Sequence, residues 1–141
     1  MFTVQDGEPF SIMTGTDNSL SGVGDDRANL VGNPSIARPS RNAMINEYFN
    51  TAAFVANPLG TFGNSGRNIL EAPGSITLNV SLSKSFKVRE RQSLQVRADS
   101  FNLPNIPNFS APNGKLSATA FGRINSAGSG RVDQISMKYI F

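Results

Sequence analysis

The sequence predicts an all-β fold of antiparallel strands joined by long irregular connections. Three observations predict it. Residues 75–86, 92–101 and 131–141 alternate apolar and polar side chains with period two. Gly, Pro, Asn and Ser fill more than a third of the 141 residues, a composition of strands and loops rather than helices. No long helical period runs through the chain. Its longest apolar run, Ala52 to Ala56, is far short of the ~18 residues of a membrane helix.

In chain order, Phe2 and Val4, then Phe10 and Ile12, alternate around Asp6-Gly7-Glu8-Pro9, so residues 1–14 read as a partial strand. Residues 15–40 carry Gly, Asn, Asp and Pro without a period and read as irregular. A short helix is expected within 41–56, with Ser40 as N-cap and Ala43, Met44 and Tyr48 on one face. Residues 57–74 return to loop and close on Pro73-Gly74. In 75–86, Ile76, Leu78, Val80, Leu82 and Phe86 share one face, broken only by Lys84. Thr77, Asn79, Ser81, Ser83 and Ser85 share the other. Residues 87–91 form a charged turn. In 92–101, Leu94, Val96 and Ala98 oppose Gln95, Arg97 and Asp99. Residues 102–130 are loop, and the last strand puts Ile135, Met137, Tyr139 and Phe141 on one face.

The length allows one domain at most. There is no Cys and no His, which removes disulfides, thiolate metal sites, Ser-His and Cys-His nucleophiles and the commonest zinc sites. The net charge of +3 comes from 13 basic and 10 acidic residues, thinly spread. The one basic cluster, Lys87 to Arg91, is no dense stripe, so no nucleic-acid partner is expected. The opening MFTVQDGEPF has neither the basic nor the apolar region of an export signal.

Apparent motifs reduce to structure. Asp17 to Gly22 begins like a calcium loop, but Ala28 stands where the bidentate Glu belongs; an Asx-rich turn is the reading. Gly60 to Gly66 lacks the Lys-Ser/Thr of a phosphate loop. Ser81-Leu82-Ser83-Lys84 matches a nucleophile motif that needs a helix, whereas strand alternation sends Ser81 and Lys84 to opposite faces. Arg97 and Asp99 are placed to pair. No constellation supports an enzyme, and no cofactor or metal is expected.

The strands point to a membrane. A soluble sheet needs a second layer against its apolar face, and the sequence offers only a weak helix. In a barrel that face meets lipid, and the polar face lines a wet lumen. Short turns on one side and long loops on the other fit an outer-membrane barrel. Four strands cannot close one, since the smallest common barrels have eight. The chain is therefore expected to be the last part of a longer protein. The final Phe141 with Tyr139, Met137 and Ile135 has the shape of an outer-membrane assembly signal.

The stretches EPFSIMTGTDNSLSGVGDDRANLVG (8–32), YFNTAAF (48–54), GTFGNSGRNILEAPGS (60–75), SLSKSF (81–86), LQVRADSFNLPNIPNF (94–109), FGRI (121–124) and the final KYIF carry a resemblance over nearly the whole chain. It resembles the C-terminal end of Oar-like TonB-dependent transporters, outer-membrane barrels of the carboxypeptidase-regulatory-like group. It departs at Glu71 and near Ile106, where the family often has a basic residue and a His. The resemblance implies that 1–141 is a partial receptor barrel: a partial strand at 1–14, external loops at 15–74 and 102–130, a hairpin at 75–101 and a C-terminal strand at 131–141.

The expected role is that of a C-terminal barrel segment in the outer membrane of a Gram-negative-type bacterium. It serves closure of the barrel and assembly, not transport by itself. Ile76, Leu78, Val80, Leu82, Phe86, Leu94 and Val96 face lipid; Asn79, Ser81, Gln95, Arg97 and Asp99 face the lumen. Its partners are outer-membrane lipid, the rest of the barrel with its plug, and the assembly machinery. The rival reading is a standalone small β module whose long loops bind a glycan or a protein.

Overall fold

The computed structural model describes residues 1–38 and 40–141. In chain order its elements are β1 (Phe2–Gln5), β2 (Pro9–Phe10), β3 (Asn29–Leu30), α1 (Arg41–Asn46), a 3-10 turn (Thr51–Ala53), β4 (Phe54–Val55), β5 (Leu70–Glu71), β6 (Ser75–Leu78), β7 (Val80–Arg89), β8 (Gln92–Phe101) and β9 (Val132–Ile140). The fold is all-β. The chain divides into two compact units.

The first unit comprises Met1–Gln5, Gly74–Asn108 and Gly128–Phe141. β1 lies antiparallel to β6, with Phe2 opposite Leu78 and Gln5 opposite Ser75. β7, β8 and β9 form an antiparallel sheet in that order. Only Asn79 separates β6 from β7. Its N–H donates to Met1 O at 2.8 Å, and the Met1 amine donates to Asn79 O at 2.6 Å. Leu103 N–H donates to Leu78 O at 2.9 Å. Adjacent residues of a strand aim their backbone groups to opposite sides. So β6 and β7 are one strand line, with β1 along one side and β8 along the other.

The charged turn expected at 87–91 is shorter. β7 runs to Arg89, and a bulge between Lys87 and Arg89 keeps both in the ladder opposite Ser93 and Gln92. Glu90 and Arg91 alone make the turn.

Beyond β8 the chain reads N-L-P-N-I-P-N, and each Asn takes a backbone bond. Asn102 and Asn105 sit in the left-handed region at φ 52° and 53°, which Asn tolerates better than most residues. The buried Asn102 amide donates to Ile106 O at 3.0 Å and Ser129 O at 3.3 Å, and its Oδ1 accepts from Ile106 N–H at 3.2 Å. Asn105 Oδ1 accepts from Arg131 N–H at 3.0 Å, and Asn108 Oδ1 from Ile76 N–H at 2.8 Å. These amides pin the start of the 102–130 connection to β6 and to the approach of β9.

The second unit comprises Asp6–Pro73 and Phe109–Ala127. The sequence reads most of it as irregular loop without a core. It has one, built from Ile12, Ala28, Tyr48, Phe49, Ala53, Phe54 and Ile124. The Phe49 ring is its centre, with centroids 5.6 Å from Phe54 and 5.2 Å from Phe121, both edge-on. Two-residue pairings tie it across the chain: Phe10 opposite Leu70, and Leu30 opposite Phe54.

The helix expected within 41–56 is confined to α1. Ser40 Oγ accepts from Ala43 N–H at 3.2 Å, as an N-cap does. Glu47 is already extended, which releases Tyr48 and Phe49 into the core instead of keeping Tyr48 on a helix face. Asn50 then caps the 3-10 turn. Gly63 is required where it stands, because a Cβ there would overlap Arg27 O.

Candidate functional site

The first unit presents two chemically opposed faces. Cross-strand pairing aligns Phe86 with Leu94 and Tyr139, Lys84 with Val96 and Met137, and Leu82 with Ala98 and Ile135. Val80 follows on β7, then Leu78 opposite Phe2 and Ile76 opposite Val4. All of these share one face, so the expected apolar set lies together across the strand lines. Phe2 and Val4 extend that face; their alternation is visible in the sequence but short.

This face is exposed: Leu82 is 72 % accessible, Met137 72 % and Ile135 78 %. A contiguous apolar surface of this kind marks a surface that something else covers. From Ile76 to Phe86 the stripe covers ten residue steps, about 33 Å of strand. At the ~40° tilt of membrane barrel strands that is about 25 Å of height, the height of their apolar band. Aromatics gather at the turn end, where Phe86 and Tyr139 share a row and the Tyr139 and Phe141 centroids lie 6.4 Å apart. At the other end of β8 and β9 the stripe stops at Ser100 and Asp133. There the Ser100 hydroxyl donates to Asp133 Oδ1 at 2.6 Å.

The opposite face carries Ser81, Ser83 and Ser85 on β7, Asp99, Arg97 and Gln95 on β8, and Gln134, Ser136 and Lys138 on β9. Arg97 Nε donates to both Asp99 carboxylate oxygens, at 2.9 and 2.8 Å. Ser81 stands opposite Asp99. Asn79 shares this phase, but its Oδ1 accepts from Asn102 N–H at 2.9 Å. Ser81 and Lys84 fall on opposite faces, as the alternation requires.

In the second unit the aspartates of residues 15–26 hold their own loop and tie it to Asn57 and Lys115. Asp17 accepts from Ser21 N–H at 3.1 Å and Gly22 N–H at 2.8 Å, closing the loop four and five residues on rather than making the two-residue Asx turn. Asp25 accepts from Gly15 N–H at 2.6 Å and meets Lys115 Nζ at 3.5 Å. Asp26 is buried. It accepts from Ser19 N–H at 2.6 Å, Ser19 Oγ at 2.9 Å and Asn57 Nδ2 at 3.3 Å. Burial pushes its carboxyl up, but these bonds together outweigh it and hold the group below its ordinary value of 3.8. Among the described residues no three acidic side chains converge on a metal-sized site.

The residues that sequence reasoning missed are Asn102, Asn105 and Asn108. Their three-residue spacing between prolines is the available signal.

The model of a family described as outer membrane beta barrel domain matches residues 1–134. No curated protein and no solved structure matches the chain.

Proposed function

This chain belongs to the outer membrane beta barrel domain family, and on that ground we propose that it is the C-terminal barrel segment of a TonB-dependent transporter of the Oar-like kind. The chain is an outer-membrane protein, in contact with membrane lipid. The observation that carries the proposal is the apolar stripe, in phase from Phe2 and Val4 through β6, β7 and β8 to β9.

In this reading the stripe meets lipid, and Ser81, Gln95, Arg97 and Asp99 face the lumen. The Glu90–Arg91 turn is periplasmic. Residues 15–74 and 102–130 are external, and they carry most of the core around Phe49. β9 is the closing strand. Its spaced Ile135, Met137 and Tyr139, with Phe141 after them, serve recognition by the assembly machinery through edge addition. The segment supplies barrel wall and assembly information. It performs no catalysis, and transport belongs to the whole barrel with its plug.

The test is a blot of fractionated envelopes with an antibody to the last fifteen residues, with and without heating. A heat-modifiable outer-membrane band several times larger than 15.1 kDa is expected. A 15.1 kDa band in a soluble fraction would refute the segment reading.

A further inference from the structure

Lys84 is unexplained by a lipid-facing stripe, and the role inferred for it rests on the membrane reading of that face. Among the described residues it is the one charged side chain on this face within Val80 to Phe86, Leu94 to Ser100 and Ile135 to Tyr139. A cation at such depth is costly and persists where it has a partner. The sheet gives Lys84 no anion. Its cross-strand neighbour is Val96, and Leu82 and Phe86 flank it on its own strand face. The Nζ lies 5.3 Å from the Phe86 ring centroid, so the side chain bends toward the aromatic row at the turn end. That is how a lysine lays its methylenes on apolar surface and carries its charge to an interface.

The surface beside it is shaped. Leu82, Lys84, Phe86, Val96 and Ala98 line a shallow depression of about 300 Å³. A second depression of about 300 Å³ shares Leu82 and Ala98 and continues past Val80 and Ile135. The small Ala98 floors both. Together they make a trough along the strand, with an ammonium at its turn end, a carbon-lined stretch over Leu82, Ala98 and Ile135, and Ser100, Asp99 and Asp133 at its far end. Lys84 to Val80 is about 13 Å of strand, about 10 Å of depth at a ~40° tilt, which is most of one leaflet's half of a band about 25 Å tall. A single cation at the head of a carbon-lined trough suits a molecule with a net negative head and an acyl tail. A zwitterionic head would bring its own ammonium against Lys84.

We propose that this trough binds an anionic phospholipid, phosphatidylglycerol, from the leaflet on the β7–β8 turn side, with its phosphate on Lys84 Nζ and an acyl chain over Ala98. The site is a fixed lipid position on the barrel wall, distinct from generic solvation of the stripe.

The experiment purifies the barrel protein carrying this chain in mild detergent with equimolar phosphatidylglycerol and phosphatidylethanolamine. Retained lipid is then counted by native mass spectrometry. The native protein is expected to keep phosphatidylglycerol in preference. Lys84→Leu should lose that preference by about tenfold, Lys84→Arg should keep it, and Ala98→Phe should reduce retention by filling the trough. Equal retention by Lys84→Leu and the native protein overturns the site. So does phosphatidylethanolamine held as well as phosphatidylglycerol, displacement by inorganic phosphate alone, or lipopolysaccharide retained instead. A heat-modifiability gel on each preparation separates the two levels. A heat-modifiable barrel with lysine-independent lipid overturns this proposal alone, and a chain that never forms one overturns the membrane reading with it.

Discussion

Val80 lies near the middle of the apolar stripe. It is four residue steps from Ile76 and six from Phe86, which puts it about 10 Å below the upper edge of a band about 25 Å tall. An arginine at the midplane on the lipid face of a barrel destabilises insertion by ~2–4 kcal/mol. Val80→Arg should therefore lower the folding equilibrium constant by roughly 30- to 1,000-fold. The control is Ser81→Arg, one residue along and on the opposite face, beside Asp99. If that face lines the lumen, as proposed, an arginine there adds charge to a wet surface that already holds Arg97 and Asp99, and its cost should stay well under ~1 kcal/mol. The assay is reversible folding of the barrel protein into lipid vesicles over a urea series, read by heat modifiability and protease protection. If Val80→Arg folds as well as the native protein, or if Ser81→Arg is penalised equally, the face assignment is wrong.

Phe49→Ala should destabilise the second unit by about 3–5 kcal/mol, since it removes the ring at the centre of that core; proteolysis within 6–73 reads the loss. Asn102→Ala should cost about 2–3 kcal/mol, because it strips Ile106 N–H, Ile106 O and Ser129 O of their partner amide and leaves Ala in the left-handed region. Asn102→Gly, which restores the backbone freedom, should recover part of that in a chemical denaturation series. The Asp26 carboxyl is held below its ordinary value in the folded chain, so its contribution is present above that value of 3.8 and fades as pH falls through the folded value. Acid unfolding of the second unit followed from pH 6 to pH 2 should therefore be shallower in Asp26→Asn, and an unchanged acid limb would refute this role.

Much of the strand architecture is local and legible in the residues. Period-two alternation needs no partner to be recognised, and it places Ile76 through Phe86, Leu94 through Ala98 and Ile135 through Tyr139 on one face once they pair. The same alternation separates Ser81 from Lys84 and brings Arg97 beside Asp99. The terminal aromatic row is legible too, because its spacing continues the pattern of β9.

Residue order alone thus settles the class of fold, the phase of each long strand and the sign of each face. How those strands meet is settled only in the folded chain. Phe2 finds Leu78, and Leu94 finds Tyr139, across dozens of residues that carry no trace of the partner. Folding also gives the long connections a core. Ile12, Phe49 and Ile124 come from distant, aperiodic stretches, and a helix at 41–56 would have kept Tyr48 and Phe49 from them. The difference is one of range. Side-chain direction along a strand follows from the backbone of the residue itself, while register, burial and the use of Asn102 follow from groups that only a closed chain brings within reach.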